Sequence, residues 1–261
     1  MKIPYYQINA FTRDLFGGNP AGVCPLDDWI EDEVMQAVAA ENGLSETAFL
    51  VKSDQGYDLR WFTPEVEIDL CGHATLASAY VVFNHLEKDL GRVQFFTRSG
   101  PLKVLGREDG ILAMDFPARP GVSCPAVEGL AEGLGADPDE IHISRDVMAV
   151  FESREIVERL RPDFDTLSKI ESTGIIITAP GDDCDFVSRF FAPRVGIDED
   201  PVTGSAHCTL VPYWAGRLKK RSLHAKQVSK RGGELFCEHY GERVLIAGHA
   251  VPYLQGEIII D

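Results

Sequence analysis

One acidic side chain, Glu46, stands in an apolar stretch that is typical of a β-strand. In the segment Leu44-Ser45-Glu46-Thr47-Ala48-Phe49-Leu50, strand alternation places Glu46 on one face with Leu44, Ala48 and Leu50. A carboxylate among apolar neighbours costs free energy unless it is paired, protonated or used in chemistry. Burial poises such a group to give and take protons near neutral pH, so Glu46 is a candidate general acid–base. A solvent-facing glutamate on an edge strand or turn is the alternative that the pattern leaves open.

Two glycines begin predicted helices, at Gly72-His73 in the first half of the chain and at Gly204-Ser205 in the second. The start of a helix presents unpaired backbone N–H groups and the positive end of the helix dipole, which together favour a carboxylate or an oxyanion. Glycine also lets a ligand approach the backbone closely. We therefore treat both helix starts as candidate substrate-binding positions, although a glycine before a helix is also common without a ligand.

Asp200 lies just before Pro201 and the second of these helices. Proline favours an extended conformation for the preceding residue, which would direct the Asp200 side chain toward a ligand. An ordinary helix-capping role for the acidic run Asp198-Glu199-Asp200 is the alternative. His73 and Ser205 occupy matching positions in the two halves. A histidine beside a glutamate and an aspartate can orient them or share a proton, so His73, Asp200 and Ser205 join Glu46 as candidate catalytic residues.

Other kinds of chemistry find no support in the sequence. The remaining histidines show no metal-ligand spacing, so we expect no metal site, and His207, inside a predicted helix, fits a buried core residue. There is no G-x-G-x-x-G, no Walker motif and no G-x-S-x-G, which argues against nucleotide binding and serine hydrolysis. The six cysteines contain no C-x-x-C pair, which indicates reduced, mostly buried thiols rather than a zinc knuckle or disulfides.

Composition excludes further classes. With 44% hydrophobic residues and 25% charged residues, the 261-residue chain is a globular protein rather than a disordered or fibrous one. A net charge of -16 would repel a phosphate backbone, so nucleic acid is not an expected partner. The N-terminal residues lack the apolar region of a signal peptide and no apolar run approaches a membrane span. We therefore expect a cytoplasmic protein with no membrane partner.

The elements that must position these residues form two similar halves. The segment Leu70–Ala74 can be laid on Val202–Ala206 at an offset of 132 residues, which indicates an internal duplication unless two glycine-started helices are alike by chance. Such a duplication implies two lobes, each with strands around one apolar helix, and a cleft where the helices begin. The linker Ala118-Arg119-Pro120-Gly121 predicts lobes of residues 1–117 and 118–261, with the last strand able to pack on the first lobe.

Helices and strands follow from periodicity and breakers. Helices are predicted at Asp32–Asn42, Gly72–His85, Ala126–Gly135, Asp163–Lys169 and Gly204–Leu218, with that at Gly72 apolar around most of its circumference. Strands are predicted at Tyr5–Phe11, Thr47–Val51, Tyr57–Phe62, Val93–Thr97, Ile111–Phe116, Val147–Phe151, Gly174–Ala179, Ser188–Ala192, Glu234–Glu238, Arg243–Ile246 and Glu257–Ile260, and a turn at Gly17–Pro20.

Five segments, in order along the chain, resemble the signature blocks of the PhzF-like isomerases of phenazine biosynthesis, which share the fold of diaminopimelate epimerase. One such block would be a weak signal, whereas five in register are a strong one for family and a weaker one for substrate. The blocks are Asn19-Pro20-Ala21-Gly22-Val23, Leu44-Ser45-Glu46-Thr47-Ala48-Phe49, Arg60-Trp61-Phe62-Thr63-Pro64, Leu70-Cys71-Gly72-His73-Ala74-Thr75-Leu76-Ala77 and Asp200-Pro201-Val202-Thr203-Gly204-Ser205-Ala206-His207.

The resemblance implies an α+β fold of two pseudo-symmetric lobes, each an antiparallel barrel-like sheet wrapped around a central helix, with the active site between them. It implies a homodimer and no organic cofactor or metal. The reaction implied is an isomerisation of a small carboxylate, in which one glutamate moves a proton between carbons. Glu46 matches that glutamate, His73, Asp200 and Ser205 match its supporting residues, and the amides of Gly72 and Gly204 match substrate-binding positions.

Two other functions stay open. Related epimerases and racemases use one cysteine at each helix start, and this chain has Cys71 at the first and Thr203 at the second, a pairing that resembles hydroxyproline dehydratases. A two-thiol racemisation needs an acid or base on each face of the carbon, which this pair does not supply. A non-catalytic binding protein on the same fold is the third possibility. The substrate itself is not predicted by the sequence.

Overall fold

The computed structural model describes residues 1–107 and 109–260, and its contacts divide the chain into two compact units. Unit one contains residues 1–115 together with the segment that starts at Ala247, and unit two runs from Phe116 to Ile246. Each unit combines a mainly antiparallel sheet with a few helices, which confirms the predicted α+β class. Among the described residues, no helix is long and apolar enough to span a membrane.

Unit one is built on a mixed sheet in which most neighbouring strands are antiparallel. β2 is parallel to β3, and β4 is parallel to β6, while the other pairings are antiparallel. Its elements are β1 (Lys2–Ala10), β2 (Asn19–Leu26), α1 (Asp32–Asn42), β3 (Glu46–Ser53), β4 (Gly56–Phe62), β5 (Glu67–Ile68), α2 (Gly72–Val81), β6 (Arg92–Thr97), β7 (Gly100–Gly106), β8 (Leu112–Pro117) and the C-terminal strand Ala250–Ile259, which pairs with β1.

Unit two also has a mixed, mainly antiparallel sheet. Its elements are β9 (Val122–Cys124), α3 (Leu130–Leu134), β10 (Glu140–Ile143), β11 (Val147–Val150), α4 (Arg154–Arg159), α5 (Phe164–Leu167), β12 (Ile175–Pro180), β13 (Phe186–Ala192), β14 (Ile197–Asp200), α6 (Gly204–Leu218), β15 (Ser222–Gln227), β16 (Gly233–Tyr240) and β17 (Arg243–Gly248). The parallel pairs are β11 with β12 and β13 with β15.

The two units repeat one order of strand pairings. In unit one, β2 is parallel to β3, β3 is antiparallel to β4, and β4 is parallel to β6 across the connection that contains α2. In unit two, β11, β12, β13 and β15 make the same series of pairings, and α6 lies in the corresponding connection. The structure thus carries the predicted internal duplication in its topology, with α2 and α6 as equivalent central helices.

Helix α2 is buried on every side. Its residues from His73 to Ala79 are all buried, and most of them are small, which lets neighbouring strands approach closely. The hydroxyls of Thr75 and Ser78 donate to the carbonyls of Cys71 and Ala74, so the polar side chains of this helix stay satisfied in the core. The predicted helix continues beyond Val81 as one π-helical turn, Val82–Leu86.

Helix α6 contains Pro212, which has no N–H to donate to the carbonyl of Cys208 one turn earlier. The backbone N–H of Arg119 donates to that carbonyl at 2.8 Å. The helix therefore runs without interruption from Gly204 to Leu218, as predicted. The same hydrogen bond joins the predicted linker segment, which contains Arg119, to α6.

Several predicted elements differ from the structure. The segment predicted as a turn at Gly17–Pro20 leads directly into β2, because Asn19 and Pro20 already pair with β1. The helix predicted at Ala126–Gly135 is shorter, since α3 begins only after Gly129, whose φ is +78°. Beyond β2, six strands and one helix were not predicted: β5, β7, β9, β10, β14, β15 and α4.

Candidate active site

Glu46 is the first residue of β3, where it follows the turn after α1. It pairs in register with Ala21 of the parallel strand β2, and every residue of β3 from Glu46 to Val51 is buried. Glu46 itself is only 7% exposed. The predicted apolar environment is therefore real, and the alternative of a solvent-facing glutamate is wrong.

His73, the second residue of α2, faces this carboxylate. Its Nε2 lies 3.0 Å from Oε2 of Glu46, and both side chains are buried. Among the described residues, however, Oε2 of Glu46 has no aligned hydrogen bond, so the contact is a close charge pairing with a free lone pair left on the oxygen. A buried carboxylate oxygen in this state can accept a proton from a bound molecule without first breaking a hydrogen bond within the protein.

Asn19, the first residue of β2, holds the opposite side of the imidazole. Its Nδ2 lies 3.1 Å from Nδ1 of His73, and the residue is fully buried. In this orientation the amide donates to a neutral His73, and after a half-turn its oxygen accepts from an imidazolium instead. The orientation of the Asn19 amide therefore depends on the protonation state of His73.

Cys71 is the residue immediately before α2, in an extended conformation, and its sulfur lies 3.5 Å from Nδ1 of His73. Burial, aided by the nearby Glu46 carboxylate and opposed by His73, raises the pKa of the Cys71 thiol to about 11. At neutral pH Cys71 is consequently a protonated thiol, which is a weak nucleophile and a weak base.

The electrostatics of His73 follow from its two neighbours. Burial by itself lowers a histidine pKa, but hydrogen bonding to the Cys71 sulfur and the charge of the Glu46 carboxylate outweigh it and raise the pKa of His73 well above its ordinary value. The imidazolium form is thereby favoured next to the carboxylate. His73 can offset the negative charge of Glu46 or supply a proton within the site.

Three side chains of this cluster could also hold a cation. A carboxylate oxygen of Glu46, the sulfur of Cys71 and a ring nitrogen of His73 lie within 4.8 Å of one another. The donor set is one that zinc accepts, although the sequence spacing did not predict a metal site. In the described part of the chain, this is the one group of three such side chains that meets this distance criterion.

In unit two, Asp200 is the last residue of β14 and is buried. Its side chain accepts a hydrogen bond from the hydroxyl of Thr203, the residue that precedes α6. Gln227 completes the arrangement, because its Oε1 accepts from the Thr203 amide at 2.8 Å and its Nε2 donates to the Asp200 carbonyl at 2.8 Å. The extended conformation expected before Pro201 is present.

Ser205, the second residue of α6, contacts a side chain that the sequence did not indicate. Nη2 of Arg145 donates to the Ser205 hydroxyl at 3.0 Å. Arg145 is itself held by Asp146, to which Nη2 donates at 2.8 Å and Nε at 3.2 Å. Asp146 is 1% exposed, so it is a buried anchor for a partly exposed guanidinium.

His207, one turn into α6, is a core residue as predicted. Its Nδ1 donates to the carbonyl of Thr203 at 2.8 Å, and Nε2 has no partner among the described residues. Burial lowers the pKa of His207 to about 4, although the hydrogen bond to Thr203 opposes this shift. His207 is therefore neutral at physiological pH.

The duplicated topology shows how the two units differ at equivalent positions. Ala21 pairs with Glu46 where β2 meets β3, and Val147 pairs with Ile175 where β11 meets β12. One residue further along, Thr47 pairs with Phe62 and its counterpart Ile175 pairs with Phe191, so unit two has Gly174 in the place that Glu46 occupies in unit one. An acid–base group at this position is present in unit one alone.

Comparison with known proteins identifies the family. The family model described as phenazine biosynthesis-like protein matches residues 8–256. The chain belongs to the PhzC-PhzF family. An uncharacterized isomerase of Pseudomonas aeruginosa is 51% identical over 259 residues, which cover 99% of each chain. This relative and the family confirm the expectation of an isomerase at the level of enzyme class.

Solved structures agree with this assignment. The crystal structure of a phenazine biosynthesis protein of the PhzF family from Enterococcus faecalis matches with a TM-score of 0.97 and 46% identity, covering 100% of both chains. A hydroxyproline epimerase from Agrobacterium vitis matches with a TM-score of 0.64 at 10% identity, over 98% of this chain and 92% of its own. The second likeness concerns the fold alone, and it confirms that this PhzF-family chain has an epimerase-like fold.

Three residues at these sites were not singled out by sequence reasoning. Asn19 lay inside a quoted PhzF signature block, but its type and position gave no sign of a contact with His73. Gln227 and Arg145 lie in segments without a family block, and their contacts depend on strand pairings that bring distant parts of the chain together.

Proposed function

We propose that this PhzF-family chain is a cofactor-independent isomerase that moves a proton on a small cyclic or amino-acid-like carboxylate, with Glu46 as the single acid–base group. The observation that supports this most directly is the buried Glu46 carboxylate, whose Oε2 lies beside His73 but lacks a hydrogen bond among the described residues. Such a group is sheltered from water, which keeps a transferred proton from exchanging with solvent.

The proposed reaction has two proton transfers. Glu46 accepts a proton from a substrate carbon next to an electron-withdrawing group, and the electron pair of that C–H bond is delocalised over the conjugated substrate. The protonated Glu46 then returns the same proton to another carbon on the same face, so the substrate leaves as an isomer and the carboxylate is regenerated. No atom is gained or lost and no oxidant is required.

His73 is assigned to electrostatic support in this scheme. Its raised pKa favours an imidazolium next to Glu46, which stabilises the carboxylate when the glutamate has no proton. Asn19 fixes the ring from the other side. The backbone N–H groups at the start of α2, from Gly72 onward, are proposed to bind the substrate carboxylate or the charge that develops during transfer.

Asp200, Gly204 and Ser205 in unit two remain proposed site residues on the strength of their family motif. The hydrogen bonds of Asp200 to Thr203 and of Gln227 to both residues hold the start of α6 in a defined conformation. Asp200 is therefore proposed to position this helix start rather than to transfer the proton. Ser205 is proposed to bind substrate through its hydroxyl.

A dehydratase or epimerase that uses Cys71 is the second candidate, because its thiol lies in the same cluster as Glu46 and His73. Two observations weigh against it. The thiol is protonated at neutral pH, since its pKa is raised to about 11. In addition, unit two has Thr203 at the position of Cys71 and Gly174 at the position of Glu46, so neither pair supplies a second base. A non-catalytic binding protein is the third candidate function. Only an activity measurement distinguishes it from an enzyme.

The deciding experiment is a screen of small metabolites for compounds that raise the melting temperature, followed by proton NMR of the hits in deuterated water. An isomerase of the proposed kind converts a hit into its isomer with little deuterium uptake, because Glu46 returns the proton it removed. A dehydratase releases water, and an epimerase with two bases incorporates deuterium at the inverted carbon. A binding protein leaves every hit unchanged.

The assembly proposed for the chain is a homodimer, as in the family resemblance. Light scattering coupled to size-exclusion chromatography should give twice the chain mass of 28.8 kDa at micromolar concentration. A mass near that of a single chain would contradict the dimer and leave the proposed chemistry unaffected.

A further inference from the structure

Three side chains of unit one converge at the start of α2. Cys71 is the extended residue before the helix, His73 is its second residue, and Glu46 begins strand β3, which packs against the helix. A thiol sulfur, a ring nitrogen and a carboxylate oxygen therefore lie within 4.8 Å of one another. These are the three kinds of atom from which proteins build zinc sites.

The separations within this cluster are close to those between ligands of one tetrahedral ion. Nε2 of His73 lies 3.0 Å from Oε2 of Glu46 and 3.9 Å from Sγ of Cys71. Around tetrahedral zinc, a nitrogen and an oxygen ligand are about 3.3 Å apart, and a nitrogen and a sulfur ligand about 3.6 Å. The two measured distances lie within about 0.4 Å of these values, so small side-chain rotations bring all three atoms onto one ion.

One ligand atom of the cluster has no hydrogen-bond partner in the described part of the chain. Oε2 of Glu46 is buried and makes no aligned hydrogen bond there. A buried polar atom in this state calls for a partner from outside the protein, such as a proton, a water molecule or a cation. The carboxylate of Glu46 and the thiolate form of Cys71 together balance the charge of a divalent cation, which a buried site requires.

Asn19 supplies the outer contact that zinc-binding histidines usually have. Its side-chain amide lies 3.1 Å from Nδ1 of His73, the ring nitrogen that faces away from Glu46. With zinc on Nε2, the hydrogen of the neutral imidazole is on Nδ1, and the amide oxygen accepts it after a half-turn. A hydrogen bond of this kind fixes the ring for metal binding.

The cluster lies just below the surface of unit one. The exposed fractions of Glu46, Cys71 and His73 are 7%, 6% and 5%, and Gly72, between the last two, is half-buried. A single ion can therefore reach the three ligand atoms with only local movement of the start of α2.

Unit two provides a comparison within the same chain. Its residues at the positions of the three ligands are Gly174, Thr203 and Ser205. None of these has a carboxylate, a thiol or an imidazole. The ligand set is thus a feature of unit one, where the proposed acid–base group also lies.

We propose that Glu46, Cys71 and His73 bind one zinc ion, and that the bound ion inhibits the isomerase. The inhibition rests on the proposed function, because a Glu46 oxygen bonded to zinc does not accept a proton from a substrate. The metal site itself depends only on the three ligands. Cobalt(II) should bind in the same way, whereas magnesium should not, since it requires oxygen ligands.

The binding test uses cobalt(II), because its absorption reports its ligands. Tetrahedral cobalt with a thiolate ligand gives strong visible bands and a near-ultraviolet sulfur-to-cobalt band, whereas cobalt on surface carboxylates gives neither. The full chain, freed of metal with a chelator, should develop both kinds of band with one equivalent of cobalt. One equivalent of zinc should remove them, and excess magnesium should not.

Cys71→Ser is the informative variant, because it removes the thiolate and leaves the pair of Glu46 and His73 in place. It should lose the sulfur-to-cobalt band and bind zinc at least about 100-fold more weakly, the upper range for loss of a mere outer contact. The matched control is Cys124→Ser, which removes a partly exposed thiol from unit two and should bind both metals as the wild type does. Glu46→Gln should keep the sulfur-to-cobalt band at saturating cobalt but bind zinc more weakly.

The inhibition test follows turnover of a hit from the metabolite screen as zinc is added, with each protein compared with itself in the absence of zinc. The wild type and Cys124→Ser should lose activity over the zinc range that displaces cobalt. Cys71→Ser should require at least about 100-fold more zinc for the same fractional loss.

A wild-type chain without the sulfur-to-cobalt band would overturn the metal site, and so would a band that persists in Cys71→Ser. Zinc that displaces the cobalt while turnover stays unchanged would overturn the inhibition. The cobalt spectra require no turnover, and the role of Glu46 as the base is decided by Glu46→Gln in the absence of zinc. Failure of the metal site is thereby distinguishable from failure of the proposed proton transfer.

Discussion

His73 and Glu46 form a buried pair, with Nε2 of the imidazole 3.0 Å from Oε2 of the carboxylate and no aligned hydrogen bond on that oxygen. Removing either charge from a buried pair leaves the other without compensation, which is more costly than replacing both. The pair is therefore maintained as a unit. Its two members are nevertheless separable by experiment, because only Glu46 is proposed to carry the proton between carbons.

Replacing Glu46 with glutamine should abolish most turnover without unfolding the chain. Glu46→Gln keeps the size of the side chain and removes the titrating proton, so turnover should fall by on the order of 10² to 10⁴, the range for a lost general acid–base. The measurement compares the isomerisation rate of a hit from the metabolite screen, with circular dichroism and melting temperature as checks of the fold. Turnover within tenfold of the wild type would show that Glu46 is not the base.

Removing only His73 should destabilise the fold more than removing the whole pair. His73→Gln leaves the buried Glu46 carboxylate without its cation, and the free energy of unfolding should fall by about 3 kcal/mol, within the range for a broken buried pair. In the combined variant His73→Gln with Glu46→Gln, part of this loss should be recovered, since no buried charge is stranded. Urea denaturation of the wild type, both single variants and the double variant gives the coupling free energy, and additive effects would contradict a functional pairing.

Cys71 should be dispensable for the isomerase chemistry. Its raised pKa of about 11 keeps the thiol protonated, so Cys71→Ser should retain most activity on the true substrate. Iodoacetamide should alkylate native Cys71 slowly at pH 7, as mass spectrometry can follow, because the thiol is both protonated and only 6% exposed. A loss of several thousandfold in Cys71→Ser, with the fold intact, would support the dehydratase instead.

The bounds of two helices, α1 and α6, were predicted as the structure has them. Helix α1 ends at Asn42, before Gly43 with its φ of +60°, and α6 begins at Gly204, so a glycine marks one end of each helix in the sequence. β2 was not predicted, since Pro20 and Pro25 argue against a strand in isolation. Its pairing with β1 and β3 is decided by tertiary contacts that local sequence does not contain.

The candidate site was predicted only in part, because several of its contacts also depend on tertiary structure. Glu46 was found from its apolar neighbours, and its pairing with His73 was suggested by the family blocks. Cys71 was weighed as a possible nucleophile, but its raised pKa follows from burial beside Glu46, which only the folded chain reveals. Arg145 lies far along the chain from Ser205, and a hairpin between β10 and β11 places it against α6, so no local pattern marks it.

His207 should make the stability of unit two depend on pH. Its pKa is lowered to about 4 in the folded chain, against an ordinary value of 6.5, because the imidazole is buried. Between these two values the unfolded chain binds a proton that the folded chain does not, so the free energy of unfolding falls as the pH decreases from 6.5 toward 4. Above pH 6.5 the full stability is present, and the total loss from this residue is about 3 kcal/mol.

His207→Asn tests this dependence, because asparagine keeps a donor for the Thr203 carbonyl but does not titrate. The variant is expected to be less stable at pH 7.5, owing to lost packing, and to lose less further stability than the wild type on acidification to pH 4.5. Urea denaturation at several pH values between these limits measures the two slopes. The partly exposed His239 provides the control, and His239→Asn should retain the wild-type slope. An unchanged slope in His207→Asn would mean that other groups, such as the paired carboxylates, account for the acid sensitivity of the fold.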